Sequence, residues 1–479
     1  MGIFSCNMSP CNRLRSAPCR PGALTRRNEF ALIGLFLLSN SIAVCSAQLR
    51  IATFEADVTP PLGAPLCNGG VQPANKIVAP LSARGIILLG SGKPIVLCAF
   101  DWVGIGNGAH DLYRERLAAA VGTSTNRVTV HTLHQHDAPA ADFSTEEILK
   151  TVGLGGAMFD PVFARAAIER VATAARLSLG RAQPVTHLGI GRGEVKEVAS
   201  NRRILGDNGK VAIVRFSSSR NPKAIAAPEG VIDALVKLVS FWNGEKPIAS
   251  MTHYATHPQS YYGKGEVNPD FPGMARAAME KEVPLAKHIH FAGAGGNVGA
   301  GKYNNGSPTN RPILAARLAA GMKLAWHSQK KFPISAKDVG WSFAPTALPV
   351  RDTLTEESRM AMLHDTKLNR ASRMFAARDL VFLRRTQAGH RININCLRLG
   401  EARILYMPGE LFVEFQLAAQ QIRPDLFVAM AAYGQYGPGY IGTKISYGQG
   451  GYETGKVSRV GPSVEQVLMD AMRKLLNTE

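Results

Sequence analysis

The stretch His131-Thr132-Leu133-His134-Gln135-His136-Asp137-Ala138-Pro139 decides how this chain is read. It follows Asn126-Arg127-Val128-Thr129-Val130, a β-branched run that reads as a strand, and Pro139 marks the stop. Such a strand carries its histidines out at the carboxyl edge. Successive side chains alternate faces, so His134 and His136 are expected to point the same way. Two imidazoles side by side, with Asp137 next to them, suit a divalent ion, because zinc takes neutral imidazole readily. A histidine-rich surface loop has the same spelling, so the metal reading needs support from the rest of the chain.

Working outward, residues 84–90 and 94–101 read as a hairpin turned at Gly90-Ser91-Gly92-Lys93-Pro94, after a first strand from Leu49. Residues 109–120 read as an amphipathic helix feeding the histidine strand. Strand, helix, strand is the order of a parallel pair, whose sites lie at carboxyl ends of strands. A second hairpin turns at Asn243-Gly244 and delivers Ala255-Thr256-His257-Pro258. Further strands are expected at 185–191, 211–217, 288–292, 391–399, 403–407 and 426–432. Helices are expected at 143–152, 160–179, 272–282, 311–327, after Glu410 to about Ile422, and 463–476. Residues 354–386 read as one long charged helical stretch, an excursion or a lid. The pattern predicts an α/β fold of mixed sheets flanked by helices, with the site at strand ends. No low-complexity linker interrupts residues 48–479, which are expected to form one domain.

The N-terminus reads differently. Residues 1–28 carry five arginines and no acid, Ala31 to Leu38 is apolar, and Cys45-Ser46-Ala47 supplies small residues at a cleavage point. Residues 1–47 are therefore expected to be a secretory signal peptide, and the mature protein secreted or periplasmic. Their removal takes away five arginines and one glutamate and leaves +15 of the formal +19. The remaining basic residues are scattered, without the long runs and interleaved aromatics of a nucleic-acid face. A peripheral contact with an anionic membrane surface is the charge-based expectation. Cys67, Cys98 and Cys396 remain, and their spacing defines no disulfide framework.

Four segments share one design, in which a strand ends and a ligand type stands just beyond it: His134 with His136, His257, Glu410 after Pro408-Gly409, and the tyrosines of 433–452. Dispersed strand ends that converge on one point are how α/β enzymes build sites. Together these segments resemble the N-terminal catalytic domain of the neutral/alkaline non-lysosomal ceramidases. The resemblance starts at Ala56-Asp57-Val58-Thr59-Pro60-Pro61 and continues through Asp101. His134-Gln135-His136-Asp137-Ala138-Pro139 follows the family's H-T-H-S-G-P, Ala255-Thr256-His257-Pro258 its A-x-H-P, and Pro408-Gly409-Glu410 its P-G-E. Tyr440-Ile441-Gly442-Thr443, Tyr447 and Tyr452-Glu453 follow its Y-I-x-T…Y…Y-E.

The resemblance implies that His134, His257, Glu410 and Tyr440 ligate Zn2+, with His136 beside the metal as the proton-moving catalytic group. It implies hydrolysis of a C–N amide bond by metal-activated water, on a small-molecule or lipid-like substrate of the ceramide type. One departure is specific. The family's catalytic serine falls on Gly299 in Gly296-Asn297-Val298-Gly299-Ala300-Gly301, so serine chemistry is not available there. Larger members also carry a C-terminal β-sandwich, and this chain stops soon after its last motif, so part of a lipid-binding surface is expected to be missing. The implied protein is a divergent member with a retained metal site and an altered substrate.

The glycine-rich segment 293–306 is expected to approach the substrate closely, its N–H groups serving an oxyanion, with Lys302 holding an anionic group. It formally fits G-x-x-x-x-G-K, but Tyr303 stands where the magnesium-binding Ser/Thr belongs, which argues against a nucleotide. Asp101 is expected either to orient a ligand histidine or to cap a turn. His131 and His253 are expected to be structural. The alternative function is a non-catalytic exported binding protein that keeps the fold and metal site.

Overall fold

The computed structural model describes residues 48–478; the expected signal peptide, residues 1–47, lies outside them. Three mixed sheets organise the chain. The first runs in the order Val128–Thr132, Gly92–Phe100, Ser82–Gly90, Arg50–Asp57, Gln183–Pro184. The second runs Lys287–Ala292, Lys246–Tyr254, Leu235–Asn243, His187–Glu194, Lys330–Pro333. The third runs Val339–Thr346, Ile392–Leu399, Ala402–Tyr406, Phe427–Ala431.

Each sheet is antiparallel except for one terminal pair. Gly92–Phe100 pairs parallel with Val128–Thr132, Lys246–Tyr254 with Lys287–Ala292, and Ala402–Tyr406 with Phe427–Ala431. A helix connects each pair: Asn107–Val121, Asp270–Glu282 and Val413–Ile422. Parallel neighbours need such a crossover because both strands run the same way. The six strands therefore leave their sheets at carboxyl ends, and the candidate ligands follow directly.

Strand alternation assigns the two faces. In Ile95-Val96-Leu97-Cys98-Ala99-Phe100, Ile95, Leu97 and Ala99 enter one core and Val96, Cys98 and Phe100 another. The first core is shared by all three sheets, through Leu97, Met251, Ile289, Leu397, Ile404 and Ala429 among others. The outer face of each sheet is covered by its own helices. Burial on both faces is why strands such as Gly92–Phe100 carry long apolar runs, and why the polar strand residues Thr252, His253 and His290 are buried too.

Most expected elements are present within a few residues. The stretch 354–386 is two helices, Glu356–His364 and Arg370–Gln387, and not one. Asn369 starts the second by accepting a hydrogen bond from Ser372 N on its side chain. The strand Val339–Thr346 is not legible in the sequence, because Gly340 and Pro345 interrupt its pattern. It lies at the edge of its sheet, where proline is tolerated. Cys67, Cys98 and Cys396 are all unpaired.

Three histidines are built into this interior. His131 Nδ1 donates to Ala432 O at 2.7 Å, His253 stacks on Phe291, and His290 Nδ1 meets Thr252 Oγ1 at 2.9 Å. Burial lowers His131 to about 4 and His253 and His290 to about 3. The unfolded chain binds protons at these positions below about 6.5, while the folded chain refuses them down to about 4. Stability is therefore full above the unfolded value and falls as pH drops, by up to about 1.4 kcal/mol per pH unit for each histidine. Urea midpoints measured at pH 7, 6 and 5 are expected to decrease, and more shallowly in His253→Phe.

Candidate metal centre

The strand Val128–Thr132 ends before the first ligand. Its backbone then hooks onto the neighbouring loop, with Leu133 N donating to Phe100 O and His134 N to Trp102 O. His134 takes φ +72°, left-handed and costly by about 1–2 kcal/mol for a residue with a Cβ. This corrects the alternation argument: His134 and His136 lie beyond the strand, and the turn and not the pleat aims them. The rings are T-shaped, 5.2 Å apart. Asp137 faces away from the cluster, its Oδ1 accepting from Gly263 N.

His257 is set by the glycine-rich segment. Its N donates to Val298 O and its Nδ1 contacts Gly295 O at 2.5 Å. A Cβ on Gly295 would stand 2.7 Å from Thr256 C, and one on Gly296 would stand 2.3 Å from Glu410 O. These glycines therefore let the segment pass between the His257 and Glu410 backbones. The N–H groups of Gly293, Ala294, Gly296 and Val298 go to Tyr254 O, Gln416 Oε1, Leu411 O and Gly295 O. These four are used within the protein and are not free for an oxyanion.

Glu410 and Tyr440 are register partners. Glu410–Leu411 and Tyr440–Ile441 form a two-residue parallel ladder in which Glu410 faces Tyr440. Gly409, at φ +62°, supplies the turn that starts it.

The ligand atoms of His134, His257 and Glu410 lie within 4.8 Å of one another, and all three residues are buried. Glu410 Oε2 is 3.2 Å from His134 Nε2 and 3.0 Å from His257 Nε2. Tyr440 Oη is 3.0 Å from His257 Nε2, and the Tyr436 hydroxyl donates to Glu410 Oε1 at 3.0 Å. The tautomers follow from the other ring nitrogens. His134 Nδ1 is 2.7 Å from Val103 O and His257 Nδ1 meets Gly295 O. A carbonyl only accepts, so each Nδ1 carries the proton. A neutral imidazole then presents a bare Nε2 lone pair to a carboxylate oxygen, a contact that a cation between them relieves.

Burial drives the His257 pKa down, with Arg202 adding to it, so the neutral form is the relevant one. Burial pushes the Glu410 carboxyl up, and positive charge at the His134 and His257 positions outweighs it and holds the group well below the usual carboxylate range; with both rings neutral, that charge is what a bound cation would supply. Burial raises the Tyr440 phenol well above its ordinary value, against the pull of Arg202. Zinc bonds of 2.0–2.1 Å in a tetrahedron give ligand–ligand edges of about 3.3 Å, close to the separations found here. Two imidazole nitrogens, a carboxylate and a phenol oxygen fit such an ion.

The comparisons agree on architecture. No protein-family model and no curated protein matches the sequence. Among solved structures, a ceramidase complexed with C2 superposes at a TM-score of 0.67 and 18% identity, covering 90% of this chain and 75% of that chain. Neutral ceramidase from Pseudomonas aeruginosa superposes at 0.66 and 19%, covering 90% and 75%. The chain has the neutral ceramidase fold.

Of the residues implied by that resemblance, the structure brings His134, His257, Glu410 and Tyr440 together, with His136 beside them on a cavity of about 270 Å³. Burial, then the charges of His134 and His257, lower the His136 pKa well below its usual value, so its ring is neutral near pH 7. Lys302 is not part of the cluster. Its Nζ donates to Ile225 O and Ala227 O, at the end of the short helix Pro222–Ala226. Asp101 does not orient a histidine either; its carboxylate takes Arg276 at 2.7 Å together with Ser82 N and Oγ. Gly299 lies in a two-residue ladder against Ser200, and a Cβ there would stand 3.3 Å from Ser217 Oγ.

Sequence reasoning missed Arg202. This buried guanidinium donates to Tyr440 Oη at 3.1 Å and ion-pairs with the fully buried Glu453. Only the pair Tyr452-Glu453 at the end of the last motif hinted at it. Replacing His134 or His257 by alanine is expected to weaken metal binding by more than ~100-fold, exceeding the cost of losing an outer partner. Metal analysis of purified protein checks this, and equal metal content in wild type and both variants would remove the site.

Proposed function

We propose that this protein is an exported, zinc-dependent hydrolase that cleaves the C–N bond of an acyl amide, with a ceramide-like compound as the reference substrate. One observation carries the reading: the Nε2 atoms of His134 and His257, a Glu410 carboxylate oxygen and the Tyr440 phenol oxygen meet beside a cavity of about 270 Å³ lined by His134, His136, Glu410 and Tyr440. The likeness of fold to ceramidases supports the choice of amide chemistry. Export rests on the composition of residues 1–47, and contact with an anionic lipid surface on the basic charge of the rest.

Zinc held by His134, His257, Glu410 and Tyr440 would supply a water activated at neutral pH and a polarised carbonyl. The remaining work falls to this chain's own residues. His136 lines the cavity as a neutral imidazole, with its Nδ1 buried and unbonded, so it is free to take a proton from water and pass it to the leaving nitrogen. Arg202 keeps positive charge on the Tyr440 oxygen, and Glu453 balances that charge. Tyr436 holds the second oxygen of Glu410, fixing the rotation of the carboxylate. None of these roles uses a hydroxyl at position 299.

The test is turnover of a panel of N-acyl amides and matching esters, a short-chain ceramide included, by zinc-loaded protein. Amide hydrolysis is expected, abolished by chelation and restored by zinc. His136→Gln is expected to retain metal and lose about 10²- to 10⁴-fold in kcat. Retention of a ligand without any product would instead favour a binding protein.

A further inference from the structure

The cavity in front of the metal centre is lined for an anion. One wall is the helix Arg370–Gln387, which presents Ala371, Met374, Phe375 and Arg378 to it. That spacing is one helical face, apolar for three positions and cationic at the fourth. Arg459, just before the last helix Val464–Leu476, also lines the cavity. The two guanidinium carbons lie over the same Phe375 ring, 5.5 and 5.7 Å from its centre. Arg378 also lies 5.3 Å from the centre of the Tyr436 ring, whose hydroxyl is on Glu410. The cationic pair therefore stands one tyrosine ring away from the metal-ligand carboxylate.

These two cations keep donor groups free for a ligand, although Tyr436, Asp142 and Asp379 lie close enough to Arg378 to favour its charged form. Arg459 is 1% exposed; its Nε lies 2.8 Å from Asp379 Oδ1 and its Nη1 donates to Gly437 O, while its Nη2 is buried without a partner. Asp379 is shared with Arg359 at 3.3 Å. Among the described residues no carboxylate comes within ion-pair distance of Arg378. Arg202 at the metal differs, because Glu453 compensates it within the protein. A buried guanidinium with its Nη2 left without a partner, beside a second one with no carboxylate in ion-pair distance, is a place for an oxyanion, and planar donor forks suit a carboxylate or phosphate.

We propose that the substrate is an acyl amide bearing an anionic oxyacid group close to the scissile bond, held between Arg378 and Arg459, and not a neutral amide such as ceramide itself. The acyl chain has the apolar end of the same wall, Ala371, Met374 and Phe375, to lie against. This deepens the amide-hydrolase reading and rests on it.

The experiment compares kcat/KM of the zinc-loaded full chain for N-lauroylglycine, N-lauroylethanolamine phosphate and neutral N-lauroylethanolamine. At least one anionic amide is expected to be preferred tenfold or more, mainly through KM, and which one identifies carboxylate or phosphate. Arg378→Gln, which breaks no ion pair, is expected to bring that ratio toward one, with its melting temperature as the control for folding. Arg459→Gln is the second variant. In parallel, calorimetry measures binding of N-lauroylglycine and the phosphate to chelated, metal-free protein. A ratio of one or less in wild type overturns the anionic subsite and leaves the amide hydrolase standing. Absence of all turnover, with anion binding to metal-free protein that Arg378→Gln abolishes, overturns the hydrolase and supports the subsite. Absence of both overturns both.

Discussion

Two hydrogen bonds from imidazole Nδ1 to backbone carbonyls, at Val103 and Gly295, fix the chemistry of this protein. They force the proton onto one side of each ring and leave the lone pairs on the other, facing the Glu410 carboxylate. Arg202 and the Tyr440 hydroxyl reach His257 Nε2, while the His134 Nε2 lone pair faces the Glu410 oxygen with no proton between them. The fold sustains the arrangement because the backbone around it is over-determined, and the three residues form a group that could hold a cation. The strained φ of His134, the close pass of Gly295 and Gly296, and the two-residue ladder of Glu410 with Tyr440 all serve this contact.

The three sheets explain how distant segments arrive together. Each contributes a parallel pair, and the chain leaves each pair at carboxyl ends toward the same region. The shared core between the sheets fixes their mutual placement, since Leu97, Met251 and Leu397 pack in one cluster. A ligand shift would have to move a sheet, which close-packed interiors resist. The helices Glu356–His364 and Arg370–Gln387 sit outside this scheme, yet the second forms a cavity wall and joins two cores through Leu380 and Phe382. That is the structural role of a segment that reads in sequence only as a charged excursion.

Charge is distributed unequally within the site. Glu453 pairs with Arg202 beside the histidine–glutamate cluster, while Arg378 lines the cavity without a carboxylate in ion-pair distance and Arg459 lines it with only Asp379. The formal charge of the chain did not foretell this, because its basic residues are scattered in sequence. Electrostatic function comes from which cations are left unpaired after folding.

The sequence by itself determined the strands and helices, since two-sided burial writes long apolar runs and crossover helices write a 3.6 period. It also pointed to His134, His257 and Glu410, because each stands within four residues of a strand end, whereas Tyr440 was singled out among the tyrosines of 433–452 only by the resemblance of its motif. It could not show that Lys302 turns away to cap a helix, that the glycines serve backbone contact and not substrate, or that Asp101 belongs to Arg276. Nor could it show Arg202, Arg378 and Arg459 as site residues, because a long flexible side chain reaches its partners in any direction. Those assignments belong to the tertiary structure alone: a backbone position follows from neighbours in the chain, while the pairing of a charge depends on neighbours in space.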